Sequence, residues 1–255
     1  MKKIESKVEF KDTHNLIAQK ISSHLEGLNK YKKDDQQKIL ELCQVGKLLG
    51  TYFNDFEIKE VTEKPDFVIT NGQVSIGVEH ELILDNEAKA KEGFYENICE
   101  KVEINLQNDD SIPNCLVNLY LKGNLSFKVN DKVNLISDLT EIVKKFILTD
   151  TLIENKIVRD AHKMRHSRKN VIPNFGAYMQ KTITKDLIFK HIEKKKDKIA
   201  TYRKNTELKQ WLVLIIGGLG ASSFEVDESF DMNIETDFDK VFLYEDFRNQ
   251  LYELK

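Results

Sequence analysis

The spacing of apolar residues divides the chain into helical and strand-like segments. Ile39, Leu40, Cys43, Val45, Leu48 and Leu49 recur at helical intervals, predicting an amphipathic helix over Asp34 to Leu49, with Asp34 or Asp35 as its N-cap. Asn15 to Leu28 reads as an earlier helix. Phe56 to Glu63 alternates apolar and polar residues and predicts a strand. Phe67 to Thr70 is a second strand, closed by Asn71-Gly72, a two-residue hairpin signal, and Val74 to Leu84 is a third.

Asn86 to Gln107 returns to a helical stripe of Phe94, Ile98, Val102 and Leu106. Asn114 to Leu121 and Asn124 to Val129 predict two strands around Lys122-Gly123, and Leu135 to Leu148 predicts a helix. Ile157 to Tyr178 shows no clean period and is expected to be a loop or broken helix. Thr184 to Lys204 reads as one basic helix. Gln210 to Ile216 is apolar enough for a strand buried on both faces, and Asp239 to Tyr244 is a last strand. The result is an α/β fold with a mixed central sheet. Residues 1–85 and 181–255 form its core, and 86–180 is a large insertion of helices and strands.

Composition narrows the class. Charged residues at 32% and hydrophobic residues at 40%, with three prolines and eleven glycines, exclude a disordered or low-complexity chain. The charged N-terminus lacks an apolar signal core, and the longest apolar run, Trp211 to Ile216, is far too short to cross a bilayer. Cys43, Cys99 and Cys115 have no metal-like spacing. The expectation is a cytoplasmic protein with reduced thiols and no membrane partner. Net charge is −3 but uneven: residues 154–204 carry 15 Lys/Arg against 5 Asp/Glu. Such a basic stretch beside an acidic centre fits a nucleic-acid footprint, and equally a solvated helical face.

The chemistry concentrates on Val74 to Leu84. Alternate strand residues share a face, so Ser75, Gly77, Glu79 and Glu81 point one way and Ile76, Val78, His80 and Leu82 the other. Two carboxylates on one face of a hydrophobic strand repel each other and are costly to bury unpaired. A hard cation such as Mg²⁺ or Mn²⁺ relieves that cost. Asp66, across the hairpin, can approach Glu79. Each acid singly also fits an ordinary solvated strand position. His162 and His166 could share a helix face, but Arg165, Arg168 and Lys169 surround them with positive charge, which suits phosphate better than a metal. His80 reads as a packed strand residue; His14, His24 and His191 carry no pattern. Gly217-Gly218-Leu219-Gly220 lacks the spacing of a phosphate loop and reads as a strand exit. Phe175, Tyr178 and Tyr202, set among basic residues, suit base stacking or core packing.

The run Pro65-Asp66 … Gly77-Val78-Glu79-His80-Glu81, following a helix that carries Glu41, resembles the PD-(D/E)xK (restriction endonuclease-like) nuclease superfamily. Ile192-Glu193-Lys194-Lys195-Lys196-Asp197-Lys198 … Tyr202 followed by Trp211-Leu212-Val213-Leu214 is similar to a stretch in uncharacterised bacterial members. The resemblance implies a core of helix, three-strand meander, helix and further strands. It implies Mg²⁺- or Mn²⁺-dependent phosphodiester hydrolysis, of DNA rather than RNA, in a restriction or defence role, and pairing of two copies. An inactive binding module and an RNA-cleaving toxin are the alternative functions. Asp66 and Glu79 would be metal ligands with the His80 carbonyl, and Glu41 would assist. The superfamily's lysine belongs at position 81, where this chain has Glu81, so the charge would come from the following helix. Lys195 and Lys198 are the candidates, and Lys198 is preferred because it sits four residues from Tyr202. Lys195, Lys198, Tyr202, Arg165, Arg168 and Lys169 would contact nucleic acid.

Overall fold

A computed structural model describes residues 1–6, 8, 10–123, 129–176, 178–227, 232 and 234–255, with the side chains of 10–13 and 129 left aside. The strand expected over Asn124 to Val129 lies outside the described residues, apart from the backbone of its last residue. Contacts divide the chain into two units, Met1–Leu84 with Gln180–Lys255, and Asp85–Met179.

The first unit opens with β1 (Lys2–Ile4), α1 (Phe10–Leu25), α2 (Lys33–Tyr52), β2 (Glu57–Val61), β3 (Phe67–Thr70) and β4 (Ser75–Leu82). The second contains α3 (Asn86–Gln107), β5 (Cys115–Leu121), α4 (Lys132–Thr149), β6 (Val158–Arg165) and β7 (Asn170–Asn174). The chain then returns to the first unit with β8 (Lys181–Thr182), α5 (Lys185–Lys196), α6 (Ile199–Thr206) and β9 (Lys209–Ile216). It ends with β10 (Phe224–Glu225), β11 (Lys240–Glu245) and β12 (Gln250–Glu253). No described helix is long and apolar enough to cross a membrane.

The main sheet runs β1-β12-β11-β9-β4-β3-β2 and is mixed: β4, β9 and β11 are mutually parallel, and the other neighbours are antiparallel. Its central strands are buried on both faces, as the apolar run of β9 requires. Val78, Trp211, Val213 and Ile215 pack with Leu42, Val45, Leu48 and Leu49 of α2 on one face. Leu212, Leu214 and Ile216 pack with Ile188, Ile192, Ile199 and Tyr202 of α5 and α6 on the other.

Three local expectations are corrected. The hairpin after β3 is not two residues long: Thr70 pairs with Ser75, leaving four in the loop. Asn71 Oδ1 accepts from the amides of Gln73 and Val74, and Gly72 takes φ of 85°, so Asn-Gly supplies an Asx-type turn instead. Helix α2 starts after Lys32; Asp34 and Asp35 fall in its first turn, and Asp35 accepts the Asn29 amide rather than capping. The basic segment expected as one helix is two, broken at Asp197 and Lys198.

In the second unit, α3 and α4 pack on a three-stranded sheet of order β6-β5-β7. The segment expected as loop or broken helix, Ile157 to Tyr178, supplies both edge strands. Only Val158 and Ala161 of β6 are buried, and a register shift lies between Tyr120 and Leu121 of its partner, so no clean alternation survives in the sequence.

Candidate active site on β4

Register fixes which residues meet. Glu79 is paired with Leu212 and Glu81 with Leu214, on the face toward α5 and α6; His80 is paired with Val213, toward α2. Asp66 stands just before β3, held by the Thr62 amide donating to its carbonyl at 2.8 Å and the Thr62 hydroxyl donating to the Pro65 carbonyl. Phe67 pairs with Val78, which brings Asp66 opposite Glu79, and the His80 amide donates to Asp66 Oδ2 at 2.8 Å.

The two glutamates meet α5 from below. Lys195 Nζ lies 2.6 Å from Glu79 Oε1 and 2.8 Å from Glu81 Oε2, and its side chain is only 8% exposed. Glu81 Oε1 also receives Lys194 Nζ at 2.7 Å and His191 Nδ1 at 2.8 Å. Residues 191, 194 and 195 are three and four apart, so one helix face aims all three at a single carboxylate. Burial opposes ionisation of Glu81, yet these bonds hold it well below the usual carboxylate range. Burial likewise opposes the charge on Lys195, and its bonds to Glu79 and Glu81 outweigh that and raise it.

Glu79 is less fully paired. Its Oε2 is buried and has no hydrogen-bond partner among the described residues. The Tyr202 phenol interacts with this carboxylate. Burial, then hydrogen bonding to the Glu79 carboxylate, and then the negative charge of Glu79, Asp66 and Glu81 push the phenol upward. Asp66 is pushed up to about 7, by burial and by the Glu79 charge beside it, against the lowering effect of the His80 amide and Lys195. Glu41 adds a weaker repulsion and lines, with Asp66, Gln37 and Lys38, a cleft of about 280 Å³.

His80 belongs to the opposite face. Burial, and Lys195 beyond it, push the ring down to about 4, so it is neutral. Gln44 Nε2 donates to Asp246 Oδ2 at 3.3 Å, which turns Gln44 Oε1 toward His80 Nε2 at 2.8 Å and makes that nitrogen the protonated one. Lys47 donates to the same Asp246.

Among the described residues no group of three or more His, Cys, Asp or Glu side chains is arranged to hold a metal ion. The donor set nevertheless suits a hard cation: Asp66 and Glu79 offer carboxylate oxygens, one of them buried without a partner, and the main chain offers a carbonyl.

The other expected residues separate. The buried stripe of α5 and α6 is Ile188, Ile192, Lys195, Ile199 and Tyr202, so Lys195 reaches the carboxylates. Lys198 lies off that stripe and is exposed at the helix break. Tyr202 is fully buried and is not presented for stacking. In the second unit Arg165 and Arg168 are exposed, while Lys169 is buried and donates to the Leu106, Gln107 and Asp109 carbonyls at the end of α3. That position is favourable for a cation and removes it from any surface. His162 sits on β6 against Asp160 and Tyr120, not on a helix with His166. His191 was not signalled by sequence, although its spacing to Lys194 and Lys195 was visible. Gln44 was hidden because a helix glutamine gives no pattern.

Comparison with protein-family models, curated proteins and solved structures found no match.

Proposed function

We propose that this acid cluster is the centre of a metal-dependent nuclease that hydrolyses phosphodiester bonds, with DNA as the first substrate to test. The observation that carries the reading is Glu79, which stands opposite Asp66: one oxygen is bonded to the buried Lys195, and the other is buried without a hydrogen-bond partner among the described residues. The order α2, β2-β3-β4 meander, α5 and α6, then β9 supports it, being similar to the core of the PD-(D/E)xK superfamily.

Asp66, Glu79 and the His80 carbonyl would hold Mg²⁺ or Mn²⁺. When bound, the ion supplies an activated water and stabilises charge on the leaving oxygen. The chain's own contributions follow from placement. Lys195 supplies the positive charge that Glu81 cannot, beside the carboxylates instead of on the strand. Glu81 anchors Lys195, Lys194 and His191. The His80 amide holds Asp66 opposite Glu79.

Purified protein is incubated with plasmid DNA and with structured RNA, with Mg²⁺ or Mn²⁺, beside Asp66→Ala and Glu79→Ala. Cleavage by the wild type and its loss in both variants is expected, and the preferred polymer is read from the same gel. Undiminished cleavage in both variants overturns the assignment. The two lysines and His191 gathered on Glu81 favour one second reading, a binding module held by a structural polar cluster. Salt-sensitive nucleic-acid binding without cleavage by any form selects it.

A further inference from the structure

A second buried acceptor lies on the same face of the sheet. Gln210, the second residue of β9, lies beside Gly77 of β4 and is completely buried. Its Nε2 donates to Thr206 Oγ1 at 2.9 Å and to the Leu208 carbonyl at 3.0 Å. A carbonyl can only accept, so the amide orientation is fixed and Oε1 is directed away from α6. Oε1 has no partner among the described residues.

Gly77 creates this arrangement. A Cβ at position 77 would stand 2.4 Å from Gln210 Oε1, so any larger residue there would displace the amide. Position 77 is two residues before Glu79, hence on the same face and about 7 Å along the strand. Gln210 Oε1 and Glu79 Oε2, buried acceptors without a partner among the described residues, thus belong to neighbouring positions on one face of the sheet, and leaving both unsatisfied is costly. A neutral amide oxygen beside a carboxylate calls for a donor with two hydrogens to share, and the waters of a hydrated divalent cation are such donors.

We infer that Gln210 is a positioning residue for the cation site: its amide packs over Gly77, and its Oε1 accepts from a water that also belongs to the ion held by Asp66 and Glu79. The inference rests on the metal-centre reading above. Asp66 and Glu79 bind the ion, and Gln210 orients one of its waters.

Mn²⁺ binding to the full chain is measured by calorimetry in wild type, Gln210→Met, Gln210→Glu, Gly77→Ala and Glu79→Ala. Both Gln210 substitutions remove the Nε2 donors, but only glutamate keeps an acceptor oxygen. Gln210→Met and Gly77→Ala should weaken Mn²⁺ about 10–100-fold, the usual cost of an outer partner. Gln210→Glu should bind at least as tightly as wild type. Equal weakening in Gln210→Met and Gln210→Glu would assign the residue to its Thr206 and Leu208 contacts alone and overturn the inference. Wild-type affinity in Gln210→Met and Gly77→Ala, with binding lost in Glu79→Ala, would overturn it while leaving the metal centre standing. Wild-type affinity in Glu79→Ala, or no binding by wild type, would remove the metal centre and this inference with it. Circular dichroism and urea midpoints confirm that each variant is folded.

Discussion

Glu79 and Glu81 occupy the same face of one strand, two residues apart, yet their surroundings differ. Glu81 is saturated: both oxygens are bonded, and two lysines and His191 of α5 converge on it. Glu79 shares Lys195 with it and keeps a buried oxygen without a hydrogen-bond partner among the described residues. The difference separates an anchor from a ligand site. A carboxylate already neutralised by fixed cations gains little from a metal, whereas a half-paired one beside Asp66 gains much.

Removing the cation common to both glutamates should have the largest effect on stability. Lys195→Met leaves two buried carboxylates facing each other, and a loss of about 3–5 kcal/mol is expected by urea denaturation. Adding Mn²⁺ should recover part of that loss. Next comes Glu81→Gln, expected to cost about 1.5–3 kcal/mol at neutral pH through its charged hydrogen bonds. The Lys194 arm adds little of this, being 60% exposed. Glu81 is held below its ordinary range, so its contribution is present above that range and is lost as pH falls through the lowered value. The variant should therefore show a flatter acid limb than wild type.

Asp66 behaves in the opposite sense. Its folded carboxyl titrates at about 7, above the ordinary 3.8, so ionisation costs stability progressively as pH rises between these values. In chelator at pH 8, Asp66→Asn should melt above wild type, and the gap should close below pH 4. A gap that persists at low pH would point to packing instead. The smallest effect belongs to Lys198→Ala: stability within about 0.5 kcal/mol of wild type and unchanged cleavage, because the side chain is exposed and off the buried stripe.

Much of this contrast was legible in the sequence, and some was not. The period of two placed Glu79 and Glu81 on one face and His80 on the other, because strand side chains must alternate. The apolar run of Trp211 to Ile216 announced a central strand. The choice of Lys195 over Lys198 was legible in the stripe Ile188, Ile192, Ile199 and Tyr202, whose spacing of three and four includes position 195 and leaves out 198. Lys169 looked like a surface cation because sequence does not show the carbonyls of Leu106, Gln107 and Asp109 gathered around it. The strands β6 and β7 escaped notice because edge strands bury few residues. Gln210 gave no signal, since its significance lies in a register partner, Gly77, that is 133 positions away in the chain.

Mn²⁺ binding to Glu79→Gln and Glu81→Gln, followed by electron paramagnetic resonance beside wild type, tests the distinction between ligand and anchor most directly. The account predicts that Glu79→Gln abolishes binding at the site while Glu81→Gln retains it. Retained binding in Glu79→Gln, or loss confined to Glu81→Gln, would contradict it.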